Sequence, residues 1–194
     1  MPKSANQKLK LLFLEKILRE QTDEEHTLTV AQLIAELARY GIQAERKTVY
    51  DDIRELMTFG ADIVACKEKS YGYYLAGRTF ELAELKLLAD AVASSKFITE
   101  KKSAALIKKI ESLTSVHHAG RLRRQVYVAD RVKTLNERIN YNVDEIHRAI
   151  ALEKQIVFRY FDIGLDKKKH YRDGYRVASP YALSWDDENY YLIG

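Results

Sequence analysis

The chain has 194 residues and is 46% hydrophobic, enough to support a buried core and to argue against wholesale disorder. Its 32 basic residues face 28 acidic ones for a net charge of +4, so the total permits nucleic acid without selecting it, and the distribution has to decide. The single cysteine, Cys66, excludes an intrachain disulfide, no apolar run approaches membrane-spanning length, and residues 1–6 lack the apolar core of a signal peptide. A cytoplasmic protein with no membrane partner is expected.

Leucine and isoleucine spacing predicts a first helix over about residues 6–20, with Leu11, Leu14 and Leu18 on one face. Residues 21–26 are polar and acidic and read as a loop. Thr29 is a helix N-cap, with Gln32 where a capping box places its partner. Leu33, Ile34, Leu37 and Ala38 line the core side of that helix, and Gly41 marks the turn after it. In a third helix over residues 45–58, Val49, Ile53 and Leu56 recur at helical spacing and face inward. Lys47, Tyr50 and Arg54 recur on the opposite side, with Arg46, Thr48 and Asp51 nearby. Cations, a phenol and a threonine are groups that contact phosphates and hydrogen-bond base edges. A plain solvated helix face has the same composition. Position decides between the two: the segment follows a capped helix and a short turn, and it precedes a hairpin.

Gly60 ends the third helix. Residues 61–66 and 71–75 are strand formers around a charged tip, where Lys67 and Lys69 are candidates for backbone phosphate. Tyr71, Tyr73 and Tyr74 read as packing groups for this hairpin. Two short helices followed by a hairpin have the order of a winged helix-turn-helix, whose second helix enters the major groove. The expected DNA-binding set is Arg46, Lys47, Thr48, Tyr50, Asp51, Arg54, Lys67 and Lys69, in a domain over residues 1–76.

Gly77 and Arg78 read as a hinge, and Thr79 as the cap of a helix running to about residue 95. Leu82, Leu85, Leu88, Ala89 and Val92 form its apolar face, widened by Leu87 and Ala91. A second helix over about residues 99–113 turns Leu106, Ile110 and Leu113 inward. The wide apolar coverage makes residues 77–140 a helical linker and dimerisation region. His117 and His118 break the pattern; neither strand nor helix aims two neighbours at one ion, and no cysteine or carboxylate stands at ligand spacing, so no metal is expected. Arg121, Arg123, Arg124 and Arg131, interleaved with Val126, Tyr127 and Val128, read either as a nucleic-acid contact or as a charged surface segment, and Asn142 with Glu145 as a capping box opening one more helix.

From Gln155 the period switches to two. Short strands over about residues 155–161, 171–177, 181–185 and 189–193, separated by turn residues, predict a small antiparallel barrel. Ile156, Phe158 and Tyr160, then Arg172, Gly174, Tyr175, Val177, Ser179, Pro180, Tyr181 and Leu183, then Tyr190, Tyr191 and Leu192, resemble the WYL domain of bacterial transcriptional regulators. Those regulators join a winged helix-turn-helix, a helical linker and an SH3-like or Sm-like WYL domain in that order, so the resemblance spans essentially the whole chain. Tyr190 stands where the name-giving tryptophan would be, and Asp51 occupies a position that is basic in many relatives. WYL domains also continue through a further strand and an arginine-containing segment, so residues 141–194 are expected to be a truncated domain.

The resemblance implies an α+β fold ending in a partial barrel, a homodimer on double-stranded DNA, and a barrel that senses a nucleotide or oligonucleotide. Tyrosine faces and arginines suit such an effector, and Tyr160, Arg172, Tyr181 and Tyr191 are the expected contacts. An RNA-binding or protein-interaction module using the winged helix as a scaffold is the second reading. An enzyme ranks third, since no phosphate loop, nucleophile elbow or zinc spacing is present. Asp51 with Asp52 and Asp186 with Asp187 are adjacent carboxylates whose side chains diverge, and no catalytic residue or cofactor is expected.

Overall fold

Hydrophobic stripes at helical and strand periods build a mixed α+β chain. The computed structural model describes residues 6–67, 71–125, 133–134, 136–166 and 168–194. Seven α-helices and eight short strands occur among them, the strands pairing two by two and antiparallel. The chain divides into two compact units: Met1–Ser94 with Ser103–Ala129, and Ser95–Lys102 with Asp130–Gly194.

The first unit opens with α1 (Lys10–Gln21), α2 (Val30–Arg39) and α3 (Arg46–Phe59), followed by the hairpin of β1 (Ile63–Cys66) and β2 (Gly72–Leu75). A backbone bridge from Leu28 to Tyr73 extends the hairpin towards the segment before α2. The Thr29–Gln32 capping box is formed in both directions. The inward stripe of α3 is Val49, Ile53 and Leu56, buried with Leu14, Ile17, Leu18, Leu33, Leu37, Ile42, Ile63, Tyr73 and Leu75. Each such aliphatic side chain contributes about 1.5–3 kcal/mol through loss of contact with water. Leu11 and Ala38 differ from expectation: both are exposed, because the cores of α1 and α2 turn on Leu14, Ile17 and Leu18 and on Leu33 and Leu37.

Gly60 closes α3 at φ +111°, a conformation that side-chain-bearing residues rarely adopt. A Cβ at Gly77 would lie 2.8 Å from Cβ of Asp62, so the chain leaving the hairpin passes too close for any larger residue. Arg78 follows, half-buried, with Nη2 donating to the carbonyls of Arg19 (3.0 Å) and Thr22 (2.5 Å). The expected hinge is therefore anchored to the end of α1.

The unit continues with α4 (Leu82–Ser94), most of α5 (Glu100–Glu111) and α6 (Val116–Gln125). Leu85, Ala89 and Ala93 of α4 are buried, as is Leu122 of α6. Leu87 and Leu88 remain exposed, so the apolar face of α4 is narrower than its composition suggests. Thr79 lies outside α4; Glu84 instead accepts from the Glu81 amide at the start of the helix. His117 and His118, expected to interrupt the helical pattern, lie inside α6, because Ser115 caps it: its Oγ accepts from the His118 amide at 3.1 Å.

In the second unit, α7 (Ile139–Ala151) begins before Asn142, which lies inside the helix rather than at its cap. The strands are β3 (Ile156–Phe158), β4 (Phe161–Ile163), β5 (Lys169–Tyr171), β6 (Arg176–Ala178), β7 (Ala182–Asp186) and β8 (Asn189–Ile193). β4 pairs with β5, and β3 with β6, as two stretches of one long hairpin. The pairings Phe158 to Arg176 and Phe161 to Tyr171 leave two residues between them on one side and four on the other. That mismatch breaks the ladder, with Gly174 at φ +82° in the longer side. β7 pairs with β8 across Asp187 and Glu188, both at positive φ, the signature of a tight twisted hairpin turn.

The expected barrel is not closed among the described residues: each sheet has two strands. The ladder break separates the long hairpin into two sheets, and β7 with β8 pairs only with itself. No hydrophobic side chain described in residues 133–194 is buried, although Phe97, Trp185 and Tyr190 form an aromatic cluster with centroids 4.6–5.4 Å apart.

Candidate nucleic-acid interface

Burying Val49, Ile53 and Leu56 fixes the rotation of α3, and the residues between them turn outward. Arg46, Lys47, Asp51 and Arg54 are exposed; Thr48 and Tyr50 are half-buried. The Thr48 hydroxyl donates to the Glu45 carbonyl at 2.8 Å in the first turn. Arg54 Nη2 donates to Asp51 Oδ1 at 2.6 Å, both side chains being more than half exposed. Arg46 lies over the Tyr50 ring at 5.8 Å and donates to its hydroxyl at 3.2 Å. Asp52, by contrast, turns inward to an ion pair with Lys10 at 2.7 Å. The two adjacent aspartates thus have separate partners and make no paired-carboxylate site.

The hairpin joins this surface through aromatic contacts. Tyr50 meets the buried Tyr73 at 6.4 Å, edge on, and Tyr73 meets Tyr71 at 5.5 Å. Burial first, and then the Tyr71 hydroxyl, push the Tyr73 phenol well above the ordinary tyrosine range, so it stays protonated. Lys67 stands 5.9 Å above the Tyr71 ring. The structure thus brings Arg46, Lys47, Thr48, Tyr50, Asp51 and Arg54 onto one helix and ties Tyr50 to the hairpin that carries Lys67. Lys69 lies outside the described residues.

In the second unit, Tyr160 and Arg172 meet through backbone, the Arg172 amide donating to the Tyr160 carbonyl at 2.9 Å. The Arg172 guanidinium grips Asp162 with two hydrogen bonds of 2.9 and 3.0 Å, which holds the Asp162 carboxyl below the ordinary aspartate range. Tyr181 and Tyr191 belong to the other hairpin: the Tyr181 amide donates to the Ile193 carbonyl, and Tyr191 sits opposite Ser184. All four side chains are exposed.

Arg159, another arginine that suits an anionic effector by type, has its guanidinium 4.9 Å from the Tyr171 ring and 5.5 Å from the Tyr175 ring. Sequence reasoning missed a polar cluster between the loop after α1 and the start of α6. Asp23 is fully buried there and accepts from Ser115 Oγ (2.5 Å), from the amides of Glu25 (3.0 Å) and His26 (2.9 Å), and meets His26 Nδ1 at 2.7 Å. Burial works against the charged carboxylate. The hydrogen bonds from Ser115, His26 and the Glu25 amide outweigh it and hold the pKa below the ordinary value of 3.8. No protein-family model, curated protein or solved structure matches this chain.

Proposed function

We propose that the first unit contains a winged helix-turn-helix and that the protein is a DNA-binding transcriptional regulator. The observation that carries this reading is the outward face of α3. Its buried stripe leaves Arg46, Lys47, Asp51 and Arg54 exposed, and an aromatic chain links Tyr50 to the neighbouring hairpin. In this reading α3 enters the major groove, and Lys47, Arg46 and Arg54 meet phosphates and base edges. Asp51 accepts from a cytosine amino group. Lys67 contacts backbone from the hairpin, the wing of this module. Two copies related by a twofold axis read half-sites one helical turn, about 34 Å, apart.

The second unit is the sensing half, with its hairpins forming part of a WYL-type barrel. Tyr160 and Arg172 on one hairpin, with Tyr181 and Tyr191 on the other, offer stacking faces and one guanidinium to a nucleotide or oligonucleotide. Their exposure supports this assignment.

Selection from a random-sequence duplex library tests the reading. The full chain enriches one motif, and the Lys47→Ala/Arg54→Ala variant enriches none. Absence of enrichment by the parent, or stronger retention of single-stranded RNA, overturns it.

A further inference from the structure

The cluster where the α1–α2 loop meets α6 lies outside the residues proposed for DNA contact, and one of its atoms is chemically unfinished. His118 is 3% exposed, and its Nε2 is buried with no hydrogen-bond partner. A buried imidazole nitrogen ordinarily finds a donor or acceptor, and leaving one unmatched is costly. This nitrogen faces Asp23 Oδ2 at 3.7 Å and Glu24 Oε1 at 3.8 Å. Those separations are too long for hydrogen bonds. The three donor atoms lie within 4.8 Å of one another.

We infer that Asp23, Glu24 and His118 bind a divalent first-row transition-metal ion of the zinc class. One imidazole nitrogen and two carboxylate oxygens form a donor set for such an ion, with a fourth position for water. Bonds of about 2.0–2.2 Å in a tetrahedron separate ligands by about 3.3–3.6 Å. The observed 3.7 and 3.8 Å are slightly wider, and the Glu24 side chain, 66% exposed, is free to turn inward.

The surroundings are those of a built site. Ser115 Oγ donates to Asp23 Oδ2 and accepts from the His118 amide, so one hydroxyl orients the segments bearing two ligands. His26 fixes the other oxygen of Asp23 and stacks on His117 at 3.7 Å. Arg121 engages the neighbouring Glu25 in an ion pair. The N-terminus of α6 carries roughly half a positive charge, and two carboxylates outweigh it. An ion here fastens the loop leading into α2 to α6. The inference stands apart from the DNA reading, because its test measures metal directly.

Calorimetric titration of the full, tag-free chain with zinc chloride tests it. The parent binds one equivalent, and zinc raises its Tm. Glu24→Gln and His118→Ala each weaken binding by at least about tenfold, the loss typical even of an outer-shell partner. Glu25→Gln binds as the parent does. Glu24 is largely exposed, so Glu24→Gln keeps the fold and its result is interpretable if His118→Ala unfolds. No saturable zinc binding by the parent, or parental affinity in Glu24→Gln, overturns the site.

Discussion

Lys47→Ala and Asp51→Asn each change the outward face of α3 by one unit of charge, in opposite directions. If Lys47 meets a phosphate, its loss lowers the slope of log affinity against log salt by about 0.9. Between about 50 and about 200 mM salt, parental affinity then falls about 3.5-fold further than that of Lys47→Ala. Asp51 acts through its neighbour. Its 2.6 Å pair with Arg54 joins two side chains that are 54% and 74% exposed. Pairs of this kind contribute only about 0.3–0.5 kcal/mol, so a phosphate can take the guanidinium. If this face meets DNA, Asp51→Asn removes both the competing acceptor and a like charge facing the phosphates, so it tightens binding to random-sequence duplex with little loss of stability. Fluorescence anisotropy with a labelled random duplex over a salt series measures both effects. An unchanged slope in Lys47→Ala, or weaker random-duplex binding by Asp51→Asn, refutes the assignment of this face.

Three further outcomes concern stability. Ile53→Ala empties a fully packed site on α3 and lowers unfolding free energy by about 2–5 kcal/mol in urea melts, and a loss well below this contradicts the packing. Gly60→Ala forces a side chain into φ +111°, and equilibrium denaturation should register about 1–2 kcal/mol of destabilisation; parental stability would show that the left-handed cap is not required. Asp23→Asn removes a carboxylate whose folded pKa is depressed, so its contribution is complete above the ordinary value of 3.8 and is lost as pH falls through the folded value. Across a series of melts from about pH 7 to about pH 3, the stability gap between parent and Asp23→Asn narrows below about pH 4. A gap independent of pH across that series would show that the charge contributes nothing.

The first unit's early elements were legible because their signals are local. Thr29 and Gln32 carry their own capping geometry, Val49, Ile53 and Leu56 keep one helical face, and Gly60 supplies the left-handed stop. Tertiary choices were less legible. Leu11 matches the spacing of Leu14 and Leu18 yet stays exposed, since periodicity defines a stripe and the neighbouring elements define how far it is covered. His118 has no ligand partner close by along the chain; folding supplies Asp23 and Glu24 from a distant loop. The alternation from Ile156 to Phe161 reads as one strand, whereas the pairing splits it at Arg159 and Tyr160. Alternation reports two faces and is blind to a ladder break. The exposed residues of α3 and of the hairpins stand out by type alone, and their roles rest on the binding experiments.

Arg78 gives the first unit a mechanical character. Its guanidinium bridges two carbonyls at the end of α1, while the glycine before it is pressed against Asp62. A displacement of the chain entering α4 therefore pulls on the last turn of α1 instead of dissipating in a slack tether. The junction resembles a clamped lever, held by the Arg78 guanidinium on one side and by the close Gly77–Asp62 approach on the other.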